Sequence, residues 1–289
     1  MSTALSDRAT LALEATSRTA RPRDWLTLGA GSVVALFVLL AVLGPVVAPY
    51  DPTAVDPLNV NAGSSAAHLL GTDDTGRDIL SRLISGTRSS LAAPAVVILI
   101  STTLGTLLAL AAAWAGGWLD RCVSGALDVV FGFPGLIMAV LAAAVFGPGL
   151  AAPIVALSIA YLPLITRVVR SAALRERHLP YVSALQLLGA PTPRIWIRHL
   201  LPNLLPLVLV QATIGFGYAL LDVAALSFLG LGSQPPEPEW GLMVSNGAPS
   251  ILAGQPQQSL YAGLVILVVV VAFNLLGTGL SRRLLGEDA

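Results

Sequence analysis

The residues able to do chemistry in this 289-residue chain are few and widely spaced. A nucleophilic triad needs a hydroxyl or thiol, an imidazole and a carboxylate within reach of one another. The serines, His199 and the aspartates lie in segments that do not assemble into one. All sixteen basic residues are arginine, so the Gly-Lys-Ser/Thr step of a phosphate-binding loop and any Schiff-base lysine are absent. The single cysteine, Cys122, excludes an internal disulfide and a multi-cysteine metal site. Asp73, Asp74 and Asp78 lack the Asp/Asn alternation and closing Glu of a calcium loop. Two carboxylates, Asp128 and Asp222, fall at or within long apolar runs. There a carboxylate faces the bundle interior or a wet cavity, or serves as a structural hydrogen-bond acceptor. The chemistry on offer is therefore recognition or gating; catalysis has no constellation to use.

The elements that must position these groups follow from composition. Hydrophobic residues make up 55% of the chain and charged residues 11%, against roughly 25% charged in an ordinary soluble domain. Mean hydropathy is +0.79. An all-α integral membrane protein is expected. Sixteen basic residues balance sixteen acidic ones, so net charge predicts no attraction to nucleic acid. A spanning helix needs about 20 apolar residues. Charge-free runs predict a first crossing over 26–49 and a second over Ala92 to Trp114. The 38 uncharged residues from Val129 to Thr166 are divided by Gly147-Pro148-Gly149 into two crossings. A fifth is expected over about Asn203 to Leu226 and a sixth over about Leu260 to Leu280.

Arginine placement orients these six helices, because positive charge is retained on the cytoplasmic side. With both termini inside, the inner segments hold Arg8, Arg18, Arg21, Arg23, Arg121, Arg167, Arg170, Arg175, Arg177, Arg194, Arg198, Arg282 and Arg283. Only Arg77, Arg82 and Arg88 then lie outside. The expected organisation is a cytoplasmic tail over 1–25, the first helix, and an extracytoplasmic loop over 50–88. A five-helix core over 89–281, with a cytoplasmic loop at 167–202, and a cytoplasmic tail over 282–289 complete it.

The connecting segments carry further expectations. Ile79, Leu80, Leu83 and Ile84 recur at helical spacing, with Asp78 and Arg82 on the other face, which predicts a short amphipathic helix on the membrane surface. In the 167–202 loop, Pro180 suits a helix start and Gly189 a helix end, while Pro191 and Pro193 block continuation. The predicted helix stands apart from the spans and exposes Val182, Leu185, Leu187 and Leu188. So much apolar surface calls for a groove on a partner protein; folding back onto the membrane is the alternative. Arg194, Trp196 and Arg198 read as interface anchors. The Gly/Pro-rich stretch from Ser227 to Gly241 reads either as a rigid surface loop anchored by Trp240 or as the outer rim of a pathway. Asp222 and Phe228 are the candidate pathway residues.

Several of these stretches resemble one family. Ser183-Ala184-Leu185, then Gly189, then Leu201-Pro202 is similar to the Glu-Ala-Ala loop of ABC-importer permeases, with Ser183 in place of the family's Glu, Leu185 in place of its last Ala, and His199 in place of an isoleucine. Leu70-Gly71-Thr72-Asp73 through Gly76-Arg77-Asp78, with Ser81-Arg82 and Gly86-Thr87-Arg88-Ser89-Ser90-Leu91, resembles the segment before the permease core of dipeptide, oligopeptide and nickel importers. Arg198-His199-Leu200-Leu201-Pro202-Asn203 and Ala225-Leu226-Ser227-Phe228-Leu229-Gly230-Leu231-Gly232, followed by Gln234-Pro235-Pro236 and Trp240-Gly241, resemble further parts of the same permeases. The matches run in order from about 68 to 241, and the first span and long outer loop resemble the C-type subunit.

The resemblance implies a type I importer fold and a division of labour. A second homologous permease subunit would complete the pathway. Two ABC ATPase subunits would bind ATP and Mg, leaving this chain without a cofactor. An extracytoplasmic binding protein would deliver short peptides, with nickel complexes, glutathione-like peptides and sugars as alternative cargo. It also implies that Tyr181, Ser183, Ala184, Leu185, Leu187, Leu188, Gly189 and Ala190 couple to the ATPase, with Arg198, Leu201 and Pro202 ending the coupling loop. The competing classes are a self-sufficient secondary transporter or channel, and a membrane scaffold. The former should carry midplane binding elements in paired repeats; the spans offer little beyond Asp222.

Overall fold

A computed structural model describes residues 24–286, all of whose regular elements are helices. The tail expected over 1–25 lies outside the described residues except for its last two, as do residues 287–289 of the C-terminal tail. Helix α1 is Asp24–Val47, α2 is Ile79–Ala115, α3 is Gly117–Phe131, α4 is Gly135–Phe146 and α5 is Ala151–Arg177. After the short α6 (Pro180–Leu187), α7 (Thr192–Ile195), a π-helical turn (Trp196–Leu200) and α8 (Leu201–Phe228) run on as one continuous helix. Helices α9 (Trp240–Leu252) and α10 (Gln257–Leu285) close the chain. Five of these stretches are long and apolar enough to cross a membrane, and α3 with α4 makes a sixth if counted as one span bent by 78°.

Small residues set how closely the spans approach. Without a hydrophobic force between helices in lipid, packing relies on backbones coming close. Helices α8 and α10 meet this way: a Cβ on Gly277 would lie 2.5 Å from Ile214 Cγ1, and one on Gly217 would lie 2.8 Å from Asn274 Nδ2. The α2–α5 pairing is the most extensive in the bundle, while α1 lies outside it against α2 and α10 with most of its apolar surface exposed.

The helix bounds correct several expectations. The amphipathic segment at 79–84 is the first turn of α2 itself, and Ile79, Arg82 and Leu83 are buried in protein. Periodicity registers that one face is covered but not whether lipid or protein covers it. Asp78 is the N-cap, its carboxylate accepting from Ser81 N at 2.8 Å, so the helix starts where capping chemistry allows. The third crossing is broken at Gly132-Phe133-Pro134, since Pro134 lacks the N–H that would continue α3. Helix α4, twelve residues long, reaches only about 18 Å. On the N-terminal side of the long loop, α5 continues to Arg177 because no Gly or Pro follows Pro163 until Pro180. The loop proper therefore spans 178–191, narrower than 167–202. Helix α6 ends before Pro191 and Pro193 as expected, and Pro193 then occupies the first turn of a new helix, α7, where its missing N–H is harmless. The following turn is π-helical, Leu201 N bonding to Trp196 O, because Pro202 has no N–H to give to Arg198 O. Helix α10 likewise carries Arg282 and Arg283 in its last turn.

Candidate functional site

Helix α6 is built from its sequence outward. Pro180 sits at N1, its fixed φ already helical. At the far end, Gly189 N bonds to Gln186 O and Ala190 N to Leu185 O, both at 3.0 Å. This Schellman closure needs the left-handed residue that Gly189 supplies at φ +73°. The two ends confine the helix to two turns and fix the chain direction on both sides.

One face of α6 is locked to the bundle. Val182 is 0% exposed, packed in a cluster with Leu110, Val169, Ile195 and Leu200, with Tyr181, Leu185 and Ala190 half-buried against it. The expectation that Val182 is exposed and the helix stands apart from the spans is therefore corrected. In an eight-residue helix, Leu187 and Leu188, five and six residues after Val182, lie more than about 100° round the axis from it, and the sequence alone does not say which side meets the bundle. A polar knot reinforces the apolar contact. Glu176 Oε1, at the end of α5, accepts from Tyr181 Oη at 2.7 Å and from Asn203 Nδ2, on α8, at 2.7 Å. Burial and the bond to Glu176 push the Tyr181 phenol up to about 12. Arg177 donates to Ala113 O at 2.6 Å and lies 5.5 Å over the Trp114 ring, which in turn meets Trp196 edge-on. Thus Trp196 is tied into the helix junction. Through this knot and the Val182 cluster α6 is joined to α2, α5 and α8 at once.

The opposite face is bare. Leu187 and Leu188 are 89% and 82% exposed, and Ser183, Ala184 and Gly189 are exposed beside them. Leu179 and Ile197, at the two margins of the loop, are exposed as well. Of the loop-end residues, Arg198 and Pro202 are exposed and Leu201 is half-buried; Asn203 and the His199 ring, 6.4 Å from that of Tyr181, bring this end to α6. The geometry can do one thing chemically: present aliphatic surface on a rigid mount to a complementary groove. The Glu176–Tyr181–Asn203 knot was missed from sequence. The five-residue spacing of Glu176 and Tyr181 across Pro180 was the only signal for it.

Other predicted residues are placed elsewhere. Asp128 on α3 is an exposed partner of Arg167 at 2.5 Å, and Arg167 also lies 4.4 Å over the Phe131 ring. Next to it, Arg170 grips both carboxylate oxygens of Asp120. These pairs tie α3 to α5. Asp222 on α8 is half-buried and accepts from Tyr161 Oη on α5 at 2.9 Å. Phe228 is exposed at the end of α8, its carbonyl accepting from Ser245. Six residues separate it from Asp222, which puts the two on different sides of the helix.

At the end of the bundle away from α6, residues 48–78 form a folded cap over the start of α2. Asp73 Oδ2 accepts from Arg77 Nε at 2.7 Å, and Asp73 Oδ1 accepts from the Thr75 and Arg77 backbone N–H groups and the Thr75 hydroxyl. Burial alone would raise its pKa, but these bonds and the Arg77 charge outweigh it and hold the carboxyl below the usual range. Arg82, fully buried, donates to Pro52 O. Trp240, 0% exposed, donates from Nε1 to Leu83 O at 3.1 Å and meets Phe37 edge-on. It is a core residue, contrary to the surface-anchor reading. Glu239 caps α9, accepting from Gly241 N and Leu242 N. Among the described residues no group of His, Cys, Asp or Glu is arranged to hold a metal ion.

Known proteins share this organisation. The family model of the binding-protein-dependent transport system inner membrane component matches residues 101–285. That of the N-terminal TM domain of oligopeptide transport permease C matches residues 23–64. A glutathione transport system permease protein of Pectobacterium atrosepticum is 39% identical over 263 residues, covering 91% of this chain and 87% of that one. A dipeptide transport system permease protein of Alkalihalophilus pseudofirmus is 38% identical over 252 residues, covering 87% and 83%. In fold, the chain is similar to inward-facing structures of the MetNI methionine ABC transporter, with a TM-score of 0.56 at 21% identity over 70% of this chain and 95% of that one. Two matching models in their expected order, relatives aligned along most of their length and a shared helical fold lead to one assignment: this chain belongs to the binding-protein-dependent transport system inner membrane components, the ABC-importer permeases, within their peptide-transporter branch.

Proposed function

We propose that this chain is one of two permease subunits of an ATP-driven importer in a bacterial cell membrane, and that its cargo is short peptides. In this reading both termini and α6 are cytoplasmic, and the 48–78 cap faces outward. Two ABC ATPase subunits bind ATP and Mg and take α6 into a groove; an extracytoplasmic binding protein delivers cargo to the other side. The single observation that carries the reading is the two-sidedness of α6. Val182 is locked into the bundle while Leu187 and Leu188 stand almost fully exposed on the opposite face. A lever must be rigid toward what it moves and open toward what moves it. The Glu176–Tyr181–Asn203 knot supplies the first property and the bare leucines the second. The replacement of the family's Glu by Ser183 removes a charge from the docking face and leaves aliphatic contact as its main attraction. The peptide reading draws on relatives named for dipeptide and glutathione transport; nickel complexes are the alternative cargo.

The test is a Leu187→Asp, Leu188→Asp double variant, purified with the other subunits. Both side chains are exposed, so thermal unfolding of the isolated chain in detergent stays within about 0.5 kcal/mol of wild type. Association with the ATPase weakens at least roughly thirtyfold, the loss expected for about 2 kcal/mol at an interface centre, and ATP-dependent uptake falls with it. Retention of both association and uptake overturns the coupling role, as does retention after Gly189→Arg.

A further inference from the structure

We infer that Asp222 binds a cationic nitrogen of the cargo, the amino terminus of a short peptide, from the wall of the translocation pathway; this rests on the importer reading above. Asp222 lies in α8 about two turns from its Phe228 end and is the one charged residue of that largely apolar helix. A carboxylate at that depth does not face hydrocarbon; it faces protein or a wet cavity. None of the ion pairs among the described residues involves it. Among the described residues its hydrogen-bond partner is the neutral Tyr161 hydroxyl, bound at Oδ2, which leaves Oδ1 and the charge itself unanswered there.

The surroundings favour a cation over any other occupant. Tyr161 is buried on α5, so its hydroxyl fixes the carboxylate in place and does not shield it from the open side. Tyr218, one helical turn before Asp222 and on the same face, is 55% exposed. Carboxylate and aromatic ring together form a site for an ammonium group, which the carboxylate attracts by charge and the ring by its quadrupole. Leu221, also exposed, borders the same face and offers apolar contact but no second charge. An anion would meet uncompensated repulsion here. A site with a single carboxylate and no other acid, His or Cys beside it is also a poor metal site. A peptide amino terminus fits, and a lysine-type side chain shares its chemistry.

The experiment uses the full complex in proteoliposomes, with the binding protein loaded with an alanine-only peptide. Asp222→Asn, which keeps shape and hydrogen bonding but not charge, lowers peptide taken up per ATP hydrolysed about tenfold, while Asp222→Glu stays within about threefold of wild type. ATP hydrolysis stimulated by the loaded binding protein is unchanged in both. An N-acetylated form of the peptide gives the low yield already in wild type, and Asp222→Asn lowers it no further. A lysine-containing N-acetylated peptide that regains the wild-type yield would place the side-chain ammonium in the same site. Independently of transport, Asp222→Cys in a Cys122→Ser background reacts with a membrane-impermeant cationic thiol reagent, because the position faces water. An unreactive cysteine overturns the inference. So do unchanged yield in Asp222→Asn, an equal loss on free and acetylated peptides, or a parallel loss of uptake and ATP hydrolysis, which marks a structural role. Failure of the importer reading is distinct: the wild-type complex would show no ATP-dependent uptake at all.

Discussion

The two ends of this bundle handle exposed surface in opposite ways. At the 48–78 cap, polar groups turn inward: Asp73 collects Arg77 and Thr75, Asp78 caps α2, and Trp240 and Glu239 are buried beside them. At the α6 end, the polar knot of Glu176, Tyr181 and Asn203 is smaller, and the outermost surface is aliphatic. Most buried polar groups of the cap are paired within it, Arg82 Nε excepted, and its exposed apolar residues, Leu58 at 93% and Leu69 at 62%, stand on irregular chain. A region that leaves leucines bare on a rigid mount is incomplete alone. The difference lies in the mount: bare apolar residues sit on irregular chain at the cap, and on a short helix locked to the bundle through Val182 at the other end.

The contrast is broken most directly by mutation of one large side chain on each side. Trp240→Ala removes a fully buried indole, its bond to Leu83 O and its contact with Phe37. It is expected to destabilise the chain by about 3–5 kcal/mol. Leu188→Ala at the bare end changes stability by no more than about 0.5 kcal/mol. Thermal or denaturant unfolding of the purified chain in detergent measures both. Comparable losses at the two sites would mean that α6 is packed against something within this chain, and the asymmetry would be lost.

How much of this was legible beforehand depends on what each signal encodes. Composition and charge-free runs give the apolar helices, because crossing hydrocarbon is a one-dimensional requirement on sequence. Pro180 and Gly189 give α6 its ends because capping is local chemistry. Neither signal encodes a tertiary partner. The alternation at Ile79, Leu80, Leu83 and Ile84 is the same whether lipid or the Trp240 region covers it. Val182 and Leu187 are equally apolar in sequence, yet one is buried and the other bare because of where Ile195 and Leu200 return after the loop. Asp222 was visible as an oddity within an apolar run; Tyr161, 61 residues earlier, was not, since nothing local links them.

Acid and alkali sharpen the same comparison. At the cap, the folded state holds the Asp73 carboxyl below its ordinary value. Its contribution is therefore complete above the unfolded pKa of about 4 and is lost as pH falls through the folded value. The stability difference between wild type and Asp73→Asn should shrink progressively below about pH 4. At the α6 end the sign reverses. Tyr181 titrates at about 12 in the folded chain, so its contribution is complete below about pH 10 and disappears between there and the folded value. The difference between wild type and Tyr181→Phe should shrink only in alkali. Unfolding midpoints of the three proteins across pH report both limbs, and a Tyr181→Phe difference that vanished in acid would contradict the geometry of the knot.

The smallest effect isolates the backbone of α6 from its side chains. Gly189 stands at φ +73° with nothing within 4 Å of where a Cβ would be. Gly189→Ala therefore meets no clash, and its only cost is holding an L-residue in the left-handed region, about 1 kcal/mol. That cost falls on the Schellman closure made by Gly189 N and Ala190 N, so the last turn of α6 frays while Val182 stays packed. Global stability barely moves, because that turn opens without unfolding the bundle. Hydrogen exchange at the 186–190 amides should rise by about fivefold, the factor for roughly 1 kcal/mol, with no change at the cap. The exposed leucines would then ride on a looser mount, and uptake should fall more than ATPase association does. Equal losses would show that α6 serves only as an attachment point and that its rigidity carries no part of the stroke.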